Sequence, residues 1–282
     1  MINYLDVLKK SASKSSSIAC MGMDPIIEKI PIEGDIQKKL EKFYLDILLK
    51  IDKEKVFPAA VKPNIAFFEQ YGFLGLKALK EIIDGYKSAK IPIILDAKRG
   101  DIGKTSEAYA KAIFEFWNAN AVTIAPYMGS DSVLPFIDYC AKEKGVYILT
   151  RTSNKGAKDI QDIKDKNGIP IYEKTAQKII EWFKSGVGSV VGATYPEELR
   201  AILEIFDKSG KEIPLLIPGV GAQGASAKDT MKILKSFKTD PKIHRINSSS
   251  EINYAFEKKN SNDYASCAVE ALAKLIEETS LS

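Results

Sequence analysis

Asp96, Lys98 and Asp101 stand close together in the segment Ile94-Leu-Asp-Ala-Lys-Arg-Gly-Asp-Ile-Gly-Lys-Thr105, directly after an apolar run. An ammonium between carboxylates stays protonated and keeps its direction, which suits a group that must deliver a proton without acting as a nucleophile. The run Ile91-Pro-Ile-Ile-Leu95 just before them is continuously apolar, as expected of a parallel strand covered on both faces. Alternation along an extended strand predicts that Asp96 and Lys98 project to the same side. After Thr105 the apolar residues Ala108, Ala112 and Phe116 take helical spacing. A strand-end salt bridge without any chemistry is the plain alternative for Asp-x-Lys taken alone.

Similar units recur along the chain. Strand-like runs cover 17–24, 59–66, 91–98, 122–126, 146–152, 189–193, 215–220 and 243–248. Between and after them, amphipathic patterns predict helices over 36–51, 74–88, 105–117, 133–142, 171–183, 196–208, 227–237 and 262–278. Eight strand-then-helix units in 282 residues predict an α/β chain folded as a single (β/α)8 TIM barrel, one catalytic domain over residues 1–282. A doubly wound open sheet is the alternative, because counting units does not establish closure. The stretch 155–168, rich in Lys, Asp and Gly, reads as a long mobile loop after the fifth strand, either solvated decoration or a lid.

In a barrel the strand C-termini carry the chemistry. They are polar here: Asp24 after the first strand, Lys62 and Asn64 on the second, Asp96, Lys98 and Asp101 on the third, and Thr152-Ser153-Asn154 after the fifth. The seventh runs into Pro218-Gly-Val-Gly-Ala-Gln-Gly224, and the eighth ends in Asn247-Ser-Ser-Ser250. Glycines after strand seven of a barrel suit a phosphate held by backbone N–H groups.

Composition narrows the function. The net charge of +4 comes from scattered lysines without an aromatic-laced basic stripe, which suits a small anionic substrate and not a nucleic acid. Cys20, Cys140 and Cys267 are far apart and His244 is the single histidine, so neither a zinc site, a disulfide framework nor a histidine triad is expected. With no apolar run long enough for a membrane and no leader-like N-terminus, a cytoplasmic protein is expected.

From Asp24 to about Tyr254, these residues resemble the orotidine 5'-monophosphate (OMP) decarboxylase family, especially its longer bacterial branch. The most specific part is Asp96-Ala-Lys-Arg-Gly-Asp-Ile-Gly-Lys-Thr105. The resemblance implies a catalytic network of Lys62, Asp96, Lys98 and Asp101, with Lys98 protonating C6 of the pyrimidine as OMP becomes uridine monophosphate (UMP). It further implies a homodimer in which Asp101 and Thr105 reach the neighbouring subunit's site. Substrate contacts are implied for Asp24, Asn64, Ile102, Thr105, Ser153, Pro218 and Gln223: Ser153 on the pyrimidine, Asp24 and Asn64 on the ribose side and in the network, and Gln223 on a loop closing over the phosphate; Ser249 and Ser250, with backbone N–H groups and hydroxyls, are the phosphate contacts expected from this chain's own residues. No metal and no organic cofactor is implied.

One position departs from the pattern. The family usually has Asn-Ser-Ser-Arg at the eighth strand, with the arginine clamping the phosphate, whereas this chain has Ser250 followed by Glu251. A hydroxyl does not replace a planar guanidinium fork, so the expectation is an active enzyme with weakened or rearranged phosphate binding. Arg245, earlier on the strand, is a poor geometric substitute. Two other readings follow from the same residues: a magnesium-dependent sugar-phosphate enzyme of the same superfamily, and a nucleotide-binding scaffold without turnover. Trp117, Trp182 and Cys20 read as packing residues, and Tyr127 to Ser132 as dimer surface or helix capping.

Overall fold

The computed structural model describes residues 3–221 and 225–282. Among them, eight parallel strands form one sheet: β1 (Ala19–Met23), β2 (Ala60–Pro63), β3 (Ile94–Arg99), β4 (Ala121–Ile124), β5 (Gly145–Arg151), β6 (Val187–Val191), β7 (Leu215–Ile217) and β8 (Arg245–Ser248). Their order is β2-β1-β8-β7-β6-β5-β4-β3. β1 lies beside β8, and the two ends of that order meet through the bridges Val61 to Ile93 and Asn64 to Asp96. The sheet therefore closes on itself as a (β/α)8 barrel, and the open doubly wound alternative falls. Its strands are almost wholly buried, in keeping with their mainly apolar sequences.

The seam between β2 and β3 is held by few backbone contacts, Val61 N–H to the Pro92 carbonyl at 2.9 Å and Ile65 N–H to the Asp96 carbonyl at 3.2 Å. It is also where Lys62 and Asp96 face each other, so the barrel's last closure is made partly by charged side chains.

The expected helices form, with ends shifted by a few residues, including Ile36–Glu54, Gly72–Ser88, Pro196–Ser209 and Tyr264–Glu278. The segment expected as one helix over 105–117 instead runs as an α-helix, Gly103–Lys111, that widens into a π-turn, Ala112–Phe116. An N-terminal helix, Tyr4–Ser15, was not expected from the apolar pattern. A capping box between Asn3 and Asp6 starts it. It packs Tyr4, Leu5 and Leu8 against strand side chains such as Cys20, Ile94 and Tyr147, filling the end of the barrel opposite the strand C-termini. Trp117 and Cys20 are buried packing residues as expected, and the Cys20 thiol is pushed up to about 12 by burial. Among the described residues no helix is long and apolar enough to cross a membrane.

His244 belongs to this framework and not to the site. Its Nδ1 accepts a hydrogen bond from the Leu215 N–H at 3.0 Å, linking β8 to β7, and the ring is 1% exposed. Burial, aided by the neighbouring Arg245 charge, pushes it down to about 3. The folded imidazole therefore resists a proton that the unfolded chain takes up near pH 6.5. Its contribution to stability is intact above pH 6.5 and is lost as pH falls toward 3, by up to about 1.4 kcal/mol per pH unit. Urea titrations from pH 7 to 4 should show this slope reduced in His244→Asn, whose amide oxygen still accepts from Leu215.

Candidate active site

The C-terminal ends of β2, β3 and β4 converge on one buried carboxylate. Asp96 Oδ2 accepts from Lys62 Nζ at 2.9 Å, and Oδ1 accepts from Lys98 Nζ at 2.7 Å. The Lys62 side chain is 5% exposed, that of Asp96 9% and that of Lys98 50%. Within this chain, then, one carboxylate lies between two ammoniums, not one ammonium between two carboxylates as the sequence suggested. Burial opposes ionisation of Asp96, but Lys62 and Lys98 outweigh it and hold the carboxyl well below its ordinary value. Burial likewise opposes the Lys62 charge, and the Asp96 and Asp24 carboxylates outweigh it and hold Lys62 protonated above its ordinary value. Lys98 alone of the three is half open, so it is the one able to meet a ligand directly.

The route by which Lys98 reaches Asp96 differs from simple strand alternation. Pairing of β3 with β4 shifts register between Leu95 and Arg99, and Lys98 takes a left-handed backbone with φ +44°. For a lysine that conformation costs on the order of 1 kcal/mol or more, and its surroundings hold it in place. Thr123 on β4 does much of this: its Oγ1 accepts from both the Ala97 and Lys98 N–H groups at 3.1 Å and donates to Asp96 Oδ1 at 2.8 Å. Sequence reasoning missed Thr123. The available signal was a single hydroxyl inside the buried run Ala121-Val-Thr-Ile124. Thr123→Val should lower kcat about 10- to 100-fold, with a smaller change in KM, and Thr123→Ser should restore it; a purely packing role would make valine the better replacement.

Asp101 does not join the array within this chain. Its Oδ1 accepts from the Ile102 N–H at 2.8 Å and its carbonyl accepts from Ser106 Oγ at 2.6 Å, at the entry to the helix Gly103–Lys111. Thr105 is exposed, and Ile102 is 52% exposed. Tyr127 and Met128, after β4, are 86% and 46% exposed. Ser106 Oγ also donates to the Ser132 carbonyl at 3.3 Å, tying the helix Gly103–Lys111 to the segment after β4.

The remaining candidates surround the mouth. Asn64 on the β2 side pairs with Asp96 across the seam, and its Oδ1 accepts from the Ala66 N–H at 3.3 Å. Asp24 Oδ1 and Asn247 Oδ1 are buried without a protein partner among the described residues. Buried acceptors left open in this way suit a ligand rich in hydroxyl donors. Ser249 lies so close to β1 that a Cβ on Gly22 would stand 1.9 Å from its Oγ. Gly219, at φ +90°, allows Ser153 to approach the turn after Pro218; a Cβ there would stand 3.1 Å from the Ser153 Cβ. Ser250 is exposed at the start of the short helix Ser250–Asn253. Gln223 lies outside the described residues.

The loop after β5 is more ordered than its composition suggested. Lys155–Asp159 forms a 3-10 turn, Gln161 bonds the Thr152 N–H and hydroxyl at 2.9 Å each, and Lys164 bridges Pro170. Arg151, fully buried, sits 4.0 Å from the Tyr195 ring centre and 3.2 Å from Asp162, tying this loop to the strand that presents Ser153.

A profile of the orotidine 5'-phosphate decarboxylase / HUMPS family matches residues 37–261. The chain belongs to this family. Orotidine 5'-phosphate decarboxylase from Cellvibrio japonicus is 37% identical over 271 residues, covering 95% of this chain and 94% of the relative. Among solved structures, an OMP decarboxylase from Leishmania donovani matches at 31% identity and TM-score 0.76, covering all of both chains. The Leishmania donovani UMP synthase matches at 34% identity and TM-score 0.78; this chain covers 56% of its length, so that protein extends well beyond the shared barrel. The charged array on β2 and β3 falls inside the residues that this profile matches.

Proposed function

We propose that this chain decarboxylates OMP to UMP, in pyrimidine nucleotide biosynthesis, with Lys98 as the proton donor to C6. The observation that carries the reading is the Lys62, Asp96, Lys98 array, in which one half-open ammonium is aimed by a buried carboxylate. Loss of CO2 from C6 leaves an electron pair in the plane of the ring, where no adjacent π system can spread it. A fixed ammonium meets that need twice, stabilising the carbanion as it forms and then supplying its proton. Asp96 places negative charge beside the leaving carboxylate, and that repulsion is relieved as the charge passes into CO2. Lys62 keeps Asp96 ionised. The scheme requires no metal and no organic cofactor.

Asp24 and Asn64 serve the ribose side, and Ser153 serves the pyrimidine. Pro218, Ser249 and Ser250 serve the phosphate end, and Gln223 is assigned to the phosphate by the family resemblance alone. The exposure of the large apolar side chains Ile102, Tyr127 and Met128 supports a homodimer that covers them, carrying Asp101 and Thr105 toward the partner's site. One domain over residues 1–282, working in the cytoplasm, completes the proposal. Incubation with OMP should yield UMP and CO2 in equal amounts. Persistence of OMP, or magnesium-dependent turnover of a hexulose or keto-gulonate phosphate instead, would overturn it.

A further inference from the structure

The absence of an arginine at position 250 leaves a charge to be accounted for. The arginines of the chain are Arg99, Arg151, Arg200 and Arg245. Arg99 is paired with Glu69 at 2.7 Å, and Arg151 is fully buried beside Tyr195. Arg245 spends its guanidinium on the carbonyls of Leu8, Lys242 and His244 and on Ser11 Oγ, beside the N-terminal helix at the far end of the barrel. Arg200 is exposed on the helix Pro196–Ser209 and takes no part in the wall of the cavity described next.

A cavity of about 540 Å³ opens where the phosphate end of the site is expected. Ser153, Gly219, Gly221 and Ser250 line it, and so do two lysines, Lys29 and Lys258. Lys258 Nζ lies 2.5 Å from Glu251. Lys29 Nζ lies 2.7 Å from Glu257 and 4.9 Å from the centre of the Tyr254 ring. Glu251 presses on the strand-seven turn: a Cβ on Gly221 would stand 3.0 Å from its Cγ.

We infer that Lys258 and Lys29 together replace the missing arginine as the cationic clamp on the substrate's phosphate, with Glu251 as the resting partner that the phosphate displaces. This deepens the proposed function and rests on it for the identity of the substrate. The chemistry is an exchange of acceptors. Each ammonium is paired with a carboxylate of the chain; a dianionic phosphate offers more charge and more lone pairs to the same donors. Glu251 competes for Lys258 and repels the incoming phosphate, so it holds affinity down. Two flexible point charges also define direction less tightly than one planar fork, so the clamp is looser than the family's usual one.

The test compares phosphorylated and unphosphorylated ligands. In calorimetry, the ratio of UMP to uridine affinity should fall about tenfold in Lys258→Ala and in Lys29→Ala, and further in the double variant. The ratio of kcat/KM on OMP to that on orotidine should fall in parallel. Glu251→Gln should tighten UMP binding, and adding Ser250→Arg to Lys258→Ala should recover what was lost. Lys259→Ala, whose ammonium pairs with Glu270 outside the cavity, is the control. Equal losses for UMP and uridine, or unchanged ratios in the double variant, would overturn the inference, as would a wild type that binds UMP no better than uridine. A wild type that shows the lysine-dependent preference for UMP yet leaves OMP intact would support the clamp while overturning the proposed reaction.

Discussion

Lys98→Ala should lower kcat on OMP by at least ~10⁴-fold while UMP affinity changes only a few-fold. Two effects vanish together: a positioned proton donor, worth roughly 10² to 10⁴ in rate, and a preorganised charge at the carbanion, worth roughly 10² to 10³. Neither acts strongly on the product complex, which carries no charge at C6, so the loss falls on turnover. The half-open side chain packs little, so the fold should tolerate its removal. Steady-state kinetics and UMP calorimetry on the same preparation separate the two quantities. A drop in kcat below tenfold would remove Lys98 from the chemistry.

Asp96→Asn should be damaging in two ways at once. The amide matches the carboxyl in shape but leaves Lys62, 5% exposed, facing Lys98 without the charge between them. Breaking a buried pair by removing one partner typically costs about 3–5 kcal/mol, and Asp24 recovers part of that here through its attraction for Lys62. Turnover should fall by roughly 10³-fold or more, since the aim of Lys98 and the charge beside the leaving carboxylate are both lost. The pH dependence follows in sign. The folded carboxyl is held below its ordinary 3.8, so its stabilisation is complete above that pH and declines as pH falls below it. Urea unfolding at pH 7 should show the full difference between wild type and Asp96→Asn, and the difference should shrink in acid. Equal stability at pH 7 would mean that the Lys62 and Lys98 pairs contribute nothing net.

The barrel and the centre of its site were legible because their signals are local. Most of the buried strands are short, mainly apolar runs, and Asp96-x-Lys98 lies at the end of one of them. What was not legible depends on contacts distant in sequence. Closure at the β2 and β3 seam is made by the bridges Val61 to Ile93 and Asn64 to Asp96, and partly by Lys62 meeting Asp96, 34 positions away. The left-handed turn at Lys98 depends on Thr123 in the next strand, and without it alternation was the reasonable expectation. The N-terminal helix shows its role only when Tyr4 is placed beside Tyr147. The lysines at the phosphate end are hidden for the same reason. Lys29 follows the first strand and Lys258 the eighth, in segments whose charges read as ordinary surface until the cavity brings them together.

The most direct test of the central claim is to rebuild the ammonium at position 98 chemically. Lys98→Cys would place a half-open thiol at the site, while Cys20, Cys140 and Cys267 are buried and poorly available to alkylating reagents. Aminoethylation of the introduced thiol restores a side chain of lysine's length and charge; ethylation restores bulk alone. With EDTA present, Lys98→Cys should be inactive on OMP, the aminoethylated protein should regain turnover and the ethylated protein should not. Equal activity in the two alkylated forms, or none in either while UMP still binds, would contradict a catalytic ammonium at this position.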